Sequence, residues 1–327
     1  MAVCMFGGSA AKWVTSSRNR GGRVARITVV GSANTDMVLQ LSHLPQPGET
    51  VLGGRFTTAG GGKGANQAVA AARLGAAVTF VARLGADTLG DQALAAYQAE
   101  GIDCRYLTRD AGEPSGVALI FVAPDGENVI GVAPGANARL APDTIPVAVQ
   151  DAAVVLTQLE IPLACVAAAV EAGRARGIPV ILNPAPARPL PDALLRGVIV
   201  TPNVTESALL TGLDAAAIDA DRAADALLAR GVAAAVVTLG ERGALLATPT
   251  ERRPVPSFPV EVVDTTAAGD AFNGGLAVAL AEGASLVDAV GFAAAVGALT
   301  VTRLGAQPSL PARAEVEQFL KETRAHG

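Results

Sequence analysis

The chain has 327 residues, half of them apolar, with 17% charged side chains and a formal net charge of −5. That length supports a large core in one domain or two. Mild acidity and a 3% aromatic content exclude a nucleic-acid binder, which needs a basic footprint and stacking platforms.

Residues 1–24 are small, polar and basic, hold the single tryptophan, Trp13, and lack the apolar run of a signal peptide. A flexible N-terminal extension is expected there. From Arg26 the pattern becomes regular. The β-branched run RITVV reads as a buried strand feeding the loop GSANTD, which carries Asn34 and Asp36. Residues 36–60 have Pro and Gly punctuation and no helical period. A helix is expected at 65–74, a strand at 77–85 and a helix at 88–100. Residues 115–137 are two strand-like runs around Asp125-Gly126, a hairpin signal. Strands are then expected within 152–160, 178–186, 197–206 and 233–240, separated by helices at 162–176, 205–211 and 221–230. Such alternation predicts an α/β fold: a central, mostly parallel sheet flanked by helices. The two irregular β regions, about 36–60 and 113–137, are expected to pair as a small β-sheet lid on the main domain, residues 25–327.

Mean hydropathy is +0.39, but the longest charge-free run, 289–302, has 14 residues. A spanning helix needs roughly 18, so no membrane partner is expected. Cys4, Cys104 and Cys165 are isolated, without zinc or disulfide spacing, as in a reduced, cytoplasmic protein. His43 and His326 are the only histidines, so a catalytic base is expected to be a carboxylate.

Between residues 60 and 64 four glycines surround Lys63. A P-loop needs Ser or Thr after the lysine, and Gly64 stands there instead. A dinucleotide fingerprint would follow the first strand. What remains is a loop that lets a ligand approach the backbone closely, or a glycine turn before a helix. In DTTAAGDAFNGG (264–275), the small residues Ala267, Ala268 and Gly269 leave helix-start amides uncovered, an anion site with Asp270 at its mouth. Asp270 is positioned either to accept a proton from an attacking alcohol or simply to cap the helix. Asn203 and Glu206 fit water-mediated Mg²⁺ binding, or a capping box. Thr238, Gly240 and Gly243 form a glycine turn fit to pass beside a nucleotide, or a plain hairpin. Asn34 and Asp36 suit vicinal sugar hydroxyls, or an Asx turn.

Taken in order, GSANTD, GGKGANQA, QLE, TPNVTE, TLGERG, DTTAAGDAFNGG and VTRLGAQPSLP resemble the ribokinase/PfkB family of sugar kinases over about residues 26–320. The resemblance implies transfer of the ATP γ-phosphoryl group to the O5 hydroxyl of D-ribose, with Mg²⁺ and an activating K⁺. It implies that Asn34, Asp36, Gly62, Lys63, Asn66 and Glu160 grip the sugar and that Asp270 is the base. Ala267, Ala268 and Gly269 would form the anion hole. Asn203 and Glu206 would position Mg²⁺ and phosphates, with Thr238, Gly240 and Gly243 bordering the nucleotide. The monovalent cation set would be Asp264, Thr266, Thr300, Arg303, Gly305 and Ser309. The lid implies a homodimer. The helix around Ala293 is nearly all alanine, where relatives often place a larger side chain against adenine. Alternatives are a related kinase acting on deoxyribose, fructose or a nucleoside, a non-catalytic sugar binder, or a nicotinamide dehydrogenase. The last lacks its glycine-rich turn after the first strand.

Overall fold

The computed structural model describes residues 24–325 apart from 215 and 217. The expected extension up to residue 23, with Cys4 and Trp13, lies outside the described residues, as does His326. In chain order, β1 (Arg26–Val30) leads to β2 (Asn34–Gln40), β3 (Arg55–Gly61), α1 (Lys63–Arg73) and β4 (Ala77–Gly85). Next come α2 (Thr88–Ala99), β5 (Leu107–Asp110), β6 (Gly116–Val122), β7 (Asn128–Ala133), α3 (Ile145–Ala148) and β8 (Val154–Thr157). Then follow α4 (Leu163–Arg176), β9 (Val180–Leu182), α5 (Asp192–Leu195), β10 (Ile199–Val200), α6 (Val204–Thr211) and α7 (Ala220–Ala229). The chain closes with β11 (Ala234–Thr238), β12 (Ala244–Ala247), β13 (Arg252–Val255), α8 (Ala268–Ala281), α9 (Leu286–Thr300) and α10 (Arg313–Ala325).

Nine strands form one sheet in the order β13-β12-β11-β10-β9-β8-β1-β4-β5. Neighbours are parallel from β5 to β11, and only the β11–β12 and β12–β13 pairs are antiparallel. Successive strand residues enter opposite layers. Val29, Leu156, Ile181 and Val236 pack with α1, α8 and α9. Val30, Val155, Leu182 and Val237 pack with α3, α4 and α7. Burial on both faces explains why the strand runs show no polar alternation.

The second sheet has the order β3-β2-β6-β7. Its register aligns Phe56, Leu39, Phe121 and Val129 in one row across all four strands. Asp36 lies three residues before Leu39, an odd number, and so points to the opposite face. Asn34 and Asp36 therefore sit in a strand, not in an Asx turn.

The chain leaves β1 for β4 and β5 on one side, then returns to β8 on the other. That reversal opens a crevice at the carboxyl ends of β1 and β8, where open α/β sheets bind ligands. The opposite rim is built of helix ends and short turns; α4, for example, stops at left-handed Gly177.

Candidate functional site

The loops at the carboxyl ends of β9 to β11, the start of α1 and the start of α8 enclose a cleft of about 230 Å³. Its lining includes Lys63, Asn203, Glu206, Thr238, Gly269 and Asp270, drawn from segments more than 200 residues apart. Close helix packing brings two of them together. A Cβ on Gly274 would lie 2.7 Å from the Ala70 side chain and 3.2 Å from the Gln67 carbonyl. Without it, α8 settles directly on α1. One turn earlier on each helix, Asn66 Nδ2 donates to Asp270 Oδ2 at 2.9 Å and Gln67 Nε2 donates to Asp270 Oδ1 at 2.9 Å.

Asp270 is therefore not a helix cap. It lies in the first turn of α8, buried, with both oxygens held by neutral amides from another helix. Burial pushes its pKa up, against the pull of Lys63 and of the two amide donors. No side chain caps α8, whose N-cap residue Ala267 is left-handed (φ 60). Of the three amides expected in the anion hole, that of Ala268 turns back to the Thr265 carbonyl at 3.2 Å. The N–H of Gly269 still faces the cleft start without a partner among the described residues.

The start of α1 is capped from a distance. Its own N-cap, Gly62, has φ 85, and a Cβ there would lie 2.7 Å from Asn34 N. Only glycine accepts that conformation without strain. Glu160 Oε2 accepts from Lys63 N at 3.0 Å and from Ser32 Oγ at 2.6 Å. Lys63 makes no ion pair within 4.0 Å among the described residues, although it lies close to several carboxylates. Burial works against its charge, but Asp270, Glu160, Glu206 and Asp36 outweigh it and hold its pKa above the usual lysine value. A free ammonium beside an uncapped helix start suits an anion.

Asp36 packs over Gly61, where a Cβ would come within 2.1 Å of its Oδ1. Burial, then Glu160 and Asp270, push its pKa up to about 6, with Lys63 opposing. Asn34 Oδ1 accepts from Asn137 Nδ2 at 2.7 Å, which leaves its amide N–H₂ for another partner. Asn66 Oδ1 is buried without a partner, an acceptor fit for a hydroxyl.

Asn203 and Glu206 form a full capping box at the start of α6: Glu206 N donates to Asn203 Oδ1 at 2.7 Å and Asn203 N to Glu206 Oε2 at 2.9 Å. Both also line the cleft, so the two readings of this pair are compatible. Burial raises the Glu206 pKa, while the Asn203 N–H and Lys63 lower it. Thr238 lines the cleft at the end of β11; Gly240 and Gly243 lie beyond it, in the tight turn of the β11–β12 hairpin. Ala293 is fully buried and packed against Gly275 of α8, so it is a core residue.

The segment expected to hold a monovalent cation is tied together at Asp264. Asp264 Oδ1 accepts from Thr266 N and Oγ1 at 2.9 and 2.6 Å, and Asp264 Oδ2 from Gly305 N at 2.8 Å. The Arg303 guanidinium is turned away to Glu315 at 2.5 Å. Thr300 Oγ1 returns to the Val296 carbonyl and Ser309 Oγ to the Ala306 carbonyl.

Sequence reasoning missed Gln158, Asn183, Thr201 and Asn273, and it did not assign Gln67 to the site. Thr201 Oγ1 donates to Asn273 Oδ1 at 2.7 Å, and Asn273 Nδ2 to the Gly269 carbonyl at 2.8 Å, which steadies the start of α8. The one available signal was the Gly274-Gly275 pair, which announces close helix packing one turn after Asp270.

Residues 24–313 match the pfkB family of carbohydrate kinases. A ribokinase of Haemophilus influenzae is 41% identical over 300 residues, covering 90% of this chain and 98% of that protein. A deoxyribokinase of Salmonella typhimurium is 38% identical over 299 residues, 90% of this chain and 97% of its own. Among solved structures, Arabidopsis thaliana ribokinase complexed with ribose and ATP superposes with a TM-score of 0.84 at 35% identity, covering 91% of this chain and 99% of that one.

Proposed function

The chain belongs to the pfkB family of carbohydrate kinases, and on that premise we propose that it transfers the γ-phosphoryl group of ATP to the O5 hydroxyl of D-ribose, giving ribose 5-phosphate. The observation that carries this reading is Asp270: a buried carboxylate, held by two neutral amides, beside an uncapped helix start and an unpaired lysine. As general base, Asp270 takes the proton of the attacking hydroxyl. The amides of Ala267 and Gly269 and the Lys63 ammonium stabilise charge on the transferring group, with the Ala268 amide joining them once it leaves the Thr265 carbonyl. Lys63, expected from the sequence to grip the sugar, is equally suited to a phosphate, because it lines the same cleft as Gly269. Asn34, Asp36, Gly62, Asn66 and Glu160 hold the sugar hydroxyls; Thr238, Gly240 and Gly243 border the nucleotide.

Mg²⁺ takes few protein ligands and keeps its waters. Glu206 fits that role, because Asn203 N–H occupies one carboxylate oxygen and leaves the other. No cluster of three ligating side chains exists among the described residues. When bound, Mg²⁺ neutralises charge on the phosphates. A monovalent cation such as K⁺ fits the Asp264 region, where one carboxylate lies beside the turn at Gly305 and the Arg303 charge is directed elsewhere. Thr266, Thr300 and Ser309 complete that set, several through carbonyls.

Deoxyribose is the second reading, since a deoxyribokinase is 38% identical. A non-catalytic sugar binder has no use for a desolvated base. We also propose a cytoplasmic homodimer formed through the small sheet, which acts as a lid. A coupled ADP-release assay across ribose, deoxyribose, fructose and nucleosides tests the reading. ADP release with ribose above the others is expected; release only with a nucleoside or fructose, or none at all, overturns it.

A further inference from the structure

The groups that hold Asp270 are themselves held. Gln67 Nε2 donates to Asp270 Oδ1 at 2.9 Å and to Asn183 Oδ1 at 3.1 Å. The other end of that amide, Gln67 Oε1, accepts from Gln158 Nε2 at 2.5 Å. Asn183 Nδ2 in turn donates to the Thr201 carbonyl at 3.4 Å. Gln67 and Gln158 are both fully buried. A glutamine amide has a donor at one end and an acceptor at the other. Flipped, Gln67 would aim an oxygen at two acceptors, Asp270 Oδ1 and Asn183 Oδ1.

Gln158 occupies its place at a cost. Its Oε1 is buried with no hydrogen-bond partner. It fits only because position 31 is glycine, where a Cβ would lie 2.1 Å from that oxygen. An apolar side chain of the same length would pack there without an orphaned acceptor. The structure therefore carries an unfavourable buried amide whose one side-chain hydrogen bond among the described residues goes to Gln67.

We propose that Gln158 is a positioning residue for phosphoryl transfer: through Gln67 it holds a neutral donor on Asp270. The proposal rests on Asp270 being the base. In that reaction the sugar O–H bond breaks and its proton passes to Asp270. The freed oxygen bonds to the γ-phosphorus as the bond to ADP breaks. Both carboxylate oxygens face N–H donors on the protein side, so the captured proton has no inward route and leaves through the cleft. The charged groups facing Asp270 are Lys63 from α1, Glu160 after β8, Asp36 from β2 and Glu206 from α6. Burial raises the Asp270 pKa most, Lys63 lowers it, the amide pair lowers it further and Glu160 raises it.

The test compares the full chain with Gln158→Met, Gln67→Met, the double variant and Asp270→Asn, using ATP and the sugar the wild type accepts. Met keeps the length of Gln and removes the donor. Gln67→Met is expected to lower kcat roughly tenfold and to move the acid limb of kcat up by about one pH unit, with KM for the sugar nearly unchanged. Gln158→Met moves both in the same direction by less, and the double variant is no worse than Gln67→Met alone, because one residue acts through the other. Gln158→Glu supplies a second arm. Its neutral carboxyl still donates to Gln67, but once ionised it draws the Gln67 donor away, so kcat falls at a pH where the wild type holds its plateau. A Gln158→Met protein with wild-type turnover and limb, or losses that add in the double variant, overturns the positioning role. Turnover retained in Asp270→Asn overturns instead the base assignment beneath it.

Discussion

Asp270 and Asp36 are both carboxylates raised by burial, and they answer to different measurements. For Asp270 the consequence is kinetic. Asp270→Asn keeps the volume and one accepting oxygen toward α1 but cannot take a proton, so kcat should fall by ~10²–10⁴-fold while calorimetry finds sugar binding nearly intact. Turnover near wild type would remove it as base. For Asp36 the consequence is also thermodynamic. Its pKa is about 6 folded against 3.8 for the free group. Between those values the folded chain holds a proton that the unfolded chain has lost, so stability falls as pH rises through the window. Above it, ionised Asp36 is a net penalty. Asp36→Asn should therefore raise stability at pH 7.5 by about 1–3 kcal/mol, read from denaturant midpoints, and the gain should vanish toward pH 4. The same substitution should raise KM for the sugar. A variant no more stable than wild type at pH 7.5 would mean that Asp36 is better solvated than its packing over Gly61 implies.

At the scale of elements, the site depends on how closely α8 approaches α1. Gly274→Ala would insert a methyl 2.7 Å from Ala70, and the helices must part by some tenths of an ångström. Overpacking of this kind costs about 1–3 kcal/mol. Because Asn66, Gln67 and Asp270 meet one turn away, kcat should fall in parallel with the thermal midpoint; loss of stability with wild-type kcat would show that the contact is only structural. The Asp264 segment makes a separate prediction. Turnover should be higher in K⁺ than in Na⁺, and Asp264→Ala should abolish the difference. Most elements were legible beforehand. The strand expected at 77–85 and the helix expected at 88–100 match β4 and α2 almost to the residue, because apolar runs and their breakers mark such boundaries locally. The antiparallel β13, RRPV, was not legible: it is short, half charged and holds a proline. The amide relay was hidden for another reason. Gln158 lies 91 residues from Gln67, and neutral amides carry no spacing or charge signature; only the folded topology brings them together.

For the whole molecule, the largest open question in the sequence was what the two irregular β regions do. The structure joins them as one sheet whose face away from Asp36 carries the row Phe56, Leu39, Phe121 and Val129. Phe56 and Val129 are more than half exposed, 60% and 55%. Apolar surface of this kind marks an interaction site, and a second copy of the sheet is the proposed partner. Val129→Asp should convert a dimer to a monomer in light scattering and raise KM for the sugar, because the same sheet carries Asp36. A wild-type chain already monomeric at micromolar concentration would overturn the dimer. The division of the main sheet into two rims has a practical consequence. The cleft lies beyond the carboxyl ends of the strands, while the rim with Gly177 holds none of the proposed site residues. That rim is the natural handle of the molecule: a tether, a fusion partner or a sensor surface attached there would leave the catalytic mouth facing outward.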